Sequence, residues 1–222
     1  MSPRPYRLGR REASVEATRA RILAAARDVL AAEADVASFT VDTVAEQAGV
    51  ARMTIYYQFE SKRGLLEALF DALATRGLVG PLRDAFARPH PIEALDAFVI
   101  AFCGFWASDR VVIRRLRSLA ALDREVGQSV HARDLRRRDG LRNICHRLTK
   151  AGGSPKAHDQ QLDVLQMLTS FEVFDMLAGA TRGEQDVAQL VMRLVRAELG
   201  LAEVTRPRPR ARRIARPGNP SK

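Results

Sequence analysis

Apolar positions recur at three- and four-residue steps along most of the chain. Val15, Ile22, Leu23, Ala26, Val29 and Leu30 form one stripe of a helix predicted near residues 14–33. Similar runs predict helices near 41–48, 52–59, 62–77, 92–108, 110–121, 125–151, 157–180 and 184–200, with "GPL", "RPHP" and "AGGSP" as breaks between them. No stretch alternates apolar and polar residues with period two between turns. The pattern therefore predicts an all-α chain, and no internal repeat is visible.

Two of these helices are short and closely spaced. Thr40 can cap the first, whose buried face would be Val41, Val44 and Ala45, and Gly49 ends it where left-handed backbone costs little. A second helix restarts at once, giving a helix-turn-helix. On it Ile55 and Phe59 share one face and can pack inward against Val44 and Val50. Met53 and Tyr57 lie opposite, Thr54 and Tyr56 on the flanks, and Arg52 at the start, where a recognition helix meets base edges. Such a face offers a fork for guanine, hydroxyl contacts and apolar surface for thymine methyls. The competing reading is that the tyrosines pack against the next helix as ordinary core.

Composition narrows the setting. With 222 residues, 46% of them hydrophobic, the chain can bury a sizeable core. No apolar run reaches the roughly 18 residues of a membrane span, and the basic start lacks the apolar segment of a secretory signal. The expectation is a cytoplasmic protein without membrane contact. Cys103 and Cys145 show no paired spacing, which points to buried thiols rather than a disulfide or zinc site.

The net charge of +10 comes from the ends: residues 1–12 carry four arginines and one glutamate, and residues 206–222 six arginines, one lysine and no acid. The last stretch is too rich in Pro and Arg to pack, and reads equally well as a disordered solubility tail (204–222) or as a functional one. Residues 13–78 hold seven basic and nine acidic side chains, a poor balance for a module approaching a polyanion. A flexible arm over residues 1–12, with Arg4, Arg7, Arg10 and Arg11, is the nearest cationic surplus and can enter a minor groove.

The run "TRARILAAARDVL…FTVDTVAEQAGVARMTIYYQFESKRGLLEAL", Thr18 to Leu69, resembles the N-terminal domain of the tetracycline-repressor (TetR) family of transcriptional regulators. The marks, in order, are an alanine-rich first helix, "TV..VA..AGV", a recognition helix with "T-I-Y", then "F-x-S-K" and a fourth helix. The resemblance implies base reading by Arg52, Met53 and Tyr57, with Thr54 and Tyr56 on phosphate or nearby edges. It assigns Lys62 to phosphate, in keeping with the anion preference of a helix start, and Thr40 and Thr43 to the DNA backbone or to capping. Two departures stand out. The connection "AEADVASF" has no glycine and is one residue longer than usual, and Arg63 and Gly64 replace the usual acids, leaving Ser61 without a capping-box partner.

For residues 79–203 the resemblance implies a helical domain that binds an effector and dimerises, following a DNA-binding domain over 13–78. The aromatic run "FVIAFCGFWASD" supplies candidate pocket residues Phe98, Phe102, Phe105 and Trp106, against the plainer reading of a packed core. Met167, Phe171 and Phe174 can complete a pocket, with His131 or His146 as polar reader. Val187, Leu190, Val191, Leu194 and Val195 form a wide stripe expected at a homodimer interface. Residues 109–150 are strongly basic and 157–205 acidic, which leaves open contact within a protomer, contact across protomers, or solvated faces.

Enzyme motifs are missing: there is no HExxH, GxSxG, Walker loop or GxGxxG, and Cys145 and His146 point about 100° apart on a helix. No cofactor and no metal are expected. The leading expectation is a ligand-responsive repressor that binds a palindromic operator in double-stranded DNA and is released by a small apolar or aromatic effector. The rival is a tail-driven, general polyanion-binding or architectural DNA protein.

Overall fold

The computed structural model describes residues 6–32, 39–150 and 159–201. These form eleven helices: α1 (Tyr6–Ala31), α2 (Val41–Ala48), α3 (Arg52–Phe59), α4 (Lys62–Gly77), α5 (Val79–Ala87), α6 (Pro91–Ser108), α7 (Arg110–Leu122), α8 (Arg124–Lys150), α9 (Asp159–Leu168), α10 (Phe171–Ala178) and α11 (Glu184–Glu198). The all-α reading holds, and α2, α3 and α4 fall at the predicted bounds.

Several boundaries differ, each for a local reason. α1 begins at Tyr6 rather than near 14. The segment "YRLGRRE" holds no proline and is rich in good helix formers, so the backbone of Arg7, Arg10 and Arg11 is helical rather than a flexible arm. Arg4, the 33–38 connection and the 204–222 tail lie outside the described residues. α5 forms where "GPL" predicted a break, because Pro81 sits in the first turn, where a missing N–H breaks no helical bond. The predicted helix 157–180 is two. Ser170 caps α10 by accepting the Val173 N–H at 3.2 Å, and the Thr169 carbonyl, turned out of the helix, accepts the Trp106 indole N–H at 3.1 Å.

α1, α2, α3 and α4 pack together through Ile22, Ala26, Leu30, Val44, Ile55 and Leu65. α6 is the axis of the second part and touches α4, α5, α7, α8, α10 and α11. It is an 18-residue helix of mean hydropathy 1.4, long and apolar enough for a membrane span, a feature the run-length reading missed; Phe98, Val99, Phe102, Phe105 and Trp106 are buried in the core of the fold. The basic and acidic stretches meet within the protomer. Arg114 binds Asp175 at 2.6 and 2.9 Å, Arg117 pairs with Glu172, and Arg138 with Asp163.

The two parts are joined by a buried carboxylate. Asp109, at the α6–α7 junction, accepts from Arg27 of α1 at 2.7 Å and from Arg76 of α4, while Arg115 of α7 donates to the Leu30 carbonyl at 2.6 Å.

Candidate nucleic-acid interface and effector cavity

Capping sets the angle between α2 and α3. Thr40 Oγ1 accepts the Thr43 N–H at 3.0 Å, and Gly49 closes α2 at φ 61°, a conformation that a Cβ disfavours. Thr40 and Thr43 share a further hydroxyl contact of 2.8 Å, so Thr40 is engaged as the cap and the Thr43 hydroxyl is held beside it. Ile55 and Phe59 are buried as expected, and Arg19 of α1 reaches over the Phe59 ring to donate to the Gln58 carbonyl at 2.8 Å. That last anchor, from a residue spaced 39 positions away, left no signal in the sequence.

With α3 fixed on its apolar side, the other side faces solvent. Tyr57 is 85% exposed and Met53 56%, which sets the core-packing reading aside for both. Thr54 and Tyr56 are half-buried on the flanks, and Tyr56 packs against the core. The Arg52 guanidinium donates to both Asp42 oxygens at 3.1 and 2.9 Å and to the Tyr56 hydroxyl at 3.2 Å. These contacts, the Tyr56 bond first and then the charge of Asp42, raise its pKa above the ordinary arginine value. Arg52 is thus pre-positioned, and reading a base requires it to exchange at least one partner. Lys62 lies exposed at the start of α4, 5.6 Å from the Phe39 ring.

Gly64 explains the missing acid after Lys62. Ser61 Oγ accepts the Gly64 N–H at 3.0 Å, so α4 is capped without a capping box. A Cβ at Gly64 would meet the Phe59 carbonyl oxygen at 2.0 Å. The α3–α4 turn, with Glu60 at φ 65°, is too tight for any side chain there.

The second feature is a cavity of about 490 Å³, open on one side to solvent, between α4, α5, α6 and α8. Phe98, Phe102, Phe105 and Trp106 line it, together with Phe70, Leu82 and Phe86. The remaining sequence candidates do not. His131 and His146 are exposed on α8, Met167 is exposed on α9, and Phe174 is buried away from the cavity. Phe171 stacks edge-on against Trp106 at 5.7 Å and so lies behind the wall. The two aromatic residues belong to α10, which packs on α6 outside the cavity lining, whereas Met167 sits on α9 and faces solvent. The polar lining comes instead from α8, as Arg133, Asp134, Arg136 and Arg137, with Asp71 from α4.

The predicted dimer stripe also needs correction. Val187, Val191 and Val195 are buried against the core of their own protomer, where α11 packs on α6 and α9. Leu190 is half-buried, and Leu194, 41% exposed, is the one position of the five open to a partner. A wide apolar stripe reports burial, not which molecule does the burying.

Among the described residues no group of His, Cys, Asp and Glu could hold a metal. The two thiols are buried, and burial pushes Cys103 up to about 12, aided by Glu184, and Cys145 to about 11.

These features define a helix-turn-helix followed by a helical domain with a cavity between its helices. Residues 22–69 match the family of bacterial regulatory proteins, tetR family. Over those residues the chain is similar to that family's N-terminal domain, and its fold as a whole is that of solved TetR-family transcriptional regulators. A TetR transcription regulator from Haloarcula marismortui superposes with TM-score 0.67 at 16% identity, covering 83% of this chain and 97% of that one. A TetR-like regulator from a Rhodococcus species gives 0.62 at 23% identity, covering 81% and 94%. The TetR-family regulator PfmR of Thermus thermophilus gives 0.59 at 21%, covering 82% and 99%. No functionally curated protein matches the sequence.

Proposed function

We propose that this chain is a ligand-responsive transcriptional repressor that binds a palindromic operator as a homodimer and is released when a small molecule occupies the cavity. The observation that carries the reading is the division of α3, with Ile55 and Phe59 buried and Met53 and Tyr57 turned to solvent beside a pre-positioned Arg52. Burial of one face holds the helix rigid, and the other face carries groups that distinguish base edges. Arg52, Met53 and Tyr57 are the proposed base readers. Thr40, Thr43, Thr54, Tyr56 and Lys62 are proposed for phosphate or nearby edges, and Arg7, Arg10 and Arg11 for phosphate along the start of α1. Release is supported by the cavity wall itself, because Phe70 and Asp71 belong to α4, which packs on α1 and α3.

The test is selection of bound duplexes from a random pool, followed by binding at rising salt. A regulator yields a palindromic site that survives salt at which random DNA is released. Equal weakening on all sequences would favour the general polyanion binder instead.

A further inference from the structure

The cavity is apolar on three sides and cationic on the fourth. Its walls from α4, α5 and α6 are mainly aromatic and aliphatic, and α8 presents three arginines to it within one and a half turns. The charges can be accounted for one by one. Arg133 lies over the Phe70 ring and donates to Asp71 at 2.6 Å. Arg137 donates to Asp134 at 2.7 Å, but the other oxygen of Asp134 is taken by Arg117 at 3.1 Å. Arg136 is exposed and has no hydrogen bond or ion pair among the described residues. Three guanidinium groups thus face two carboxylates, one of them shared with a fourth arginine outside the cavity.

Arg137 is the buried member of the cluster and keeps one donor unmet. It is 5% exposed, its Nε has no hydrogen-bond partner, and its Nη2 reaches the Gln166 carbonyl only at 3.4 Å. The guanidinium stands 5.8 and 6.0 Å from the rings of Phe102 and Trp106, the same aromatic wall that a ligand would touch. Burial lowers its pKa from the ordinary value, with Asp134 compensating only in part. A buried cation with incomplete partners is costly, and a ligand carrying one negative charge would offset that cost.

From this arrangement we infer that the cavity takes an amphipathic monoanion, an aryl or acyl carboxylate whose apolar body lies against Phe98, Phe102 and Trp106 and whose carboxylate joins the Arg133–Arg136–Arg137 cluster. The inference rests on the cavity being the effector site. A cationic ligand is disfavoured because Asp71 and Asp134 are both engaged by arginine. A wholly neutral one leaves the excess charge uncompensated. The volume lies in the range of about 300–1,000 Å³ usual for small-molecule sites.

The test compares 3-phenylpropionate and decanoate with their neutral amides, following emission of Trp106, the only tryptophan, and the thermal midpoint of the full chain. Both acids are expected to bind about ten-fold or more tightly than the amides, since neutralisation removes a charge-assisted hydrogen bond. Arg136→Gln, at an exposed and unpaired position, should leave the unliganded midpoint unchanged and reduce the preference for acid over amide. Gly140→Ala adds no charge but displaces the aromatic wall: its Cβ would meet Phe98 at 2.9 Å and Phe86 at 3.2 Å, so it should weaken acid and amide alike. Amides binding as well as acids would overturn the anion assignment while leaving the cavity as an effector site. Binding of neither acid at millimolar concentration would overturn both the assignment and the site. Acid binding without any change in DNA affinity would leave the anion site standing and overturn its role in release.

Discussion

Gly64 shows how one residue holds α3 in place. Its hydrogen atom occupies the only space that the Phe59 carbonyl leaves, so Gly64→Ala must open the α3–α4 turn. The expected cost is about 1–3 kcal/mol, read as a lower denaturation midpoint at unchanged slope; an unchanged midpoint would show that the turn relaxes freely. Tyr57 is the opposite case. It touches solvent, so Tyr57→Ala should leave stability within about 0.5 kcal/mol yet cost about 1–3 kcal/mol on the selected operator and much less on scrambled DNA. Comparable weakening on both duplexes would move Tyr57 from base reading to the DNA backbone.

At the scale of elements, the start of α1 and the outer side of α11 carry distinct expectations. Deleting residues 2–11 removes Arg4, Arg7, Arg10 and Arg11 from each protomer, and should weaken binding to operator and random DNA alike. The salt slope should flatten by up to roughly 0.9 for each phosphate that is no longer neutralised, with sequence preference nearly intact. Untouched slopes would mean that phosphate is bound elsewhere on the body. Because α1 is helical from Tyr6, any phosphate bound by Arg7, Arg10 or Arg11 is held from a helix start rather than from an extended strand. For α11, Leu194→Asp places a charge at an exposed position and spares Val187, Val191 and Val195 inside. Sedimentation should show a homodimer for the parent chain and a folded monomer for the variant. A monomeric parent would remove the two-fold operator from the proposal.

The whole molecule is tied together at Asp109. One carboxylate holds Arg27 of α1 and Arg76 of α4 against the α6–α7 corner, so the N-terminal helices and the cavity domain share an anchor as well as a continuous apolar core. Asp109→Asn leaves two arginines facing a neutral amide and should cost about 1–3 kcal/mol. It should also split the calorimetric transition, with the N-terminal helices melting first. A single transition at the parent temperature would show that the apolar packing alone unites the two parts.

How much of this was legible in the sequence depends on the range of the forces involved. The bounds of α2, α3 and α4, the Thr40 cap, the Gly49 stop and the outward face of α3 follow from interactions between residues a few positions apart, and such interactions leave a periodic trace. The sequence by itself therefore determined the all-helical class, the helix-turn-helix and which side of α3 faces solvent. Only the tertiary structure decided what each apolar stripe packs against. Val187, Val191 and Val195 look alike whether a partner or their own core covers them, and Phe171 and Phe174 look alike whether they line a cavity or stand behind its wall. The same holds for charge. Twelve basic residues between 109 and 150 read as one cationic stretch, yet folding pairs Arg110, Arg114, Arg117 and Arg138 with acids distant in the chain and leaves Arg136 and Arg137 at the cavity. Ion pairing depends on distances of a few ångströms, which a linear count of charges does not contain.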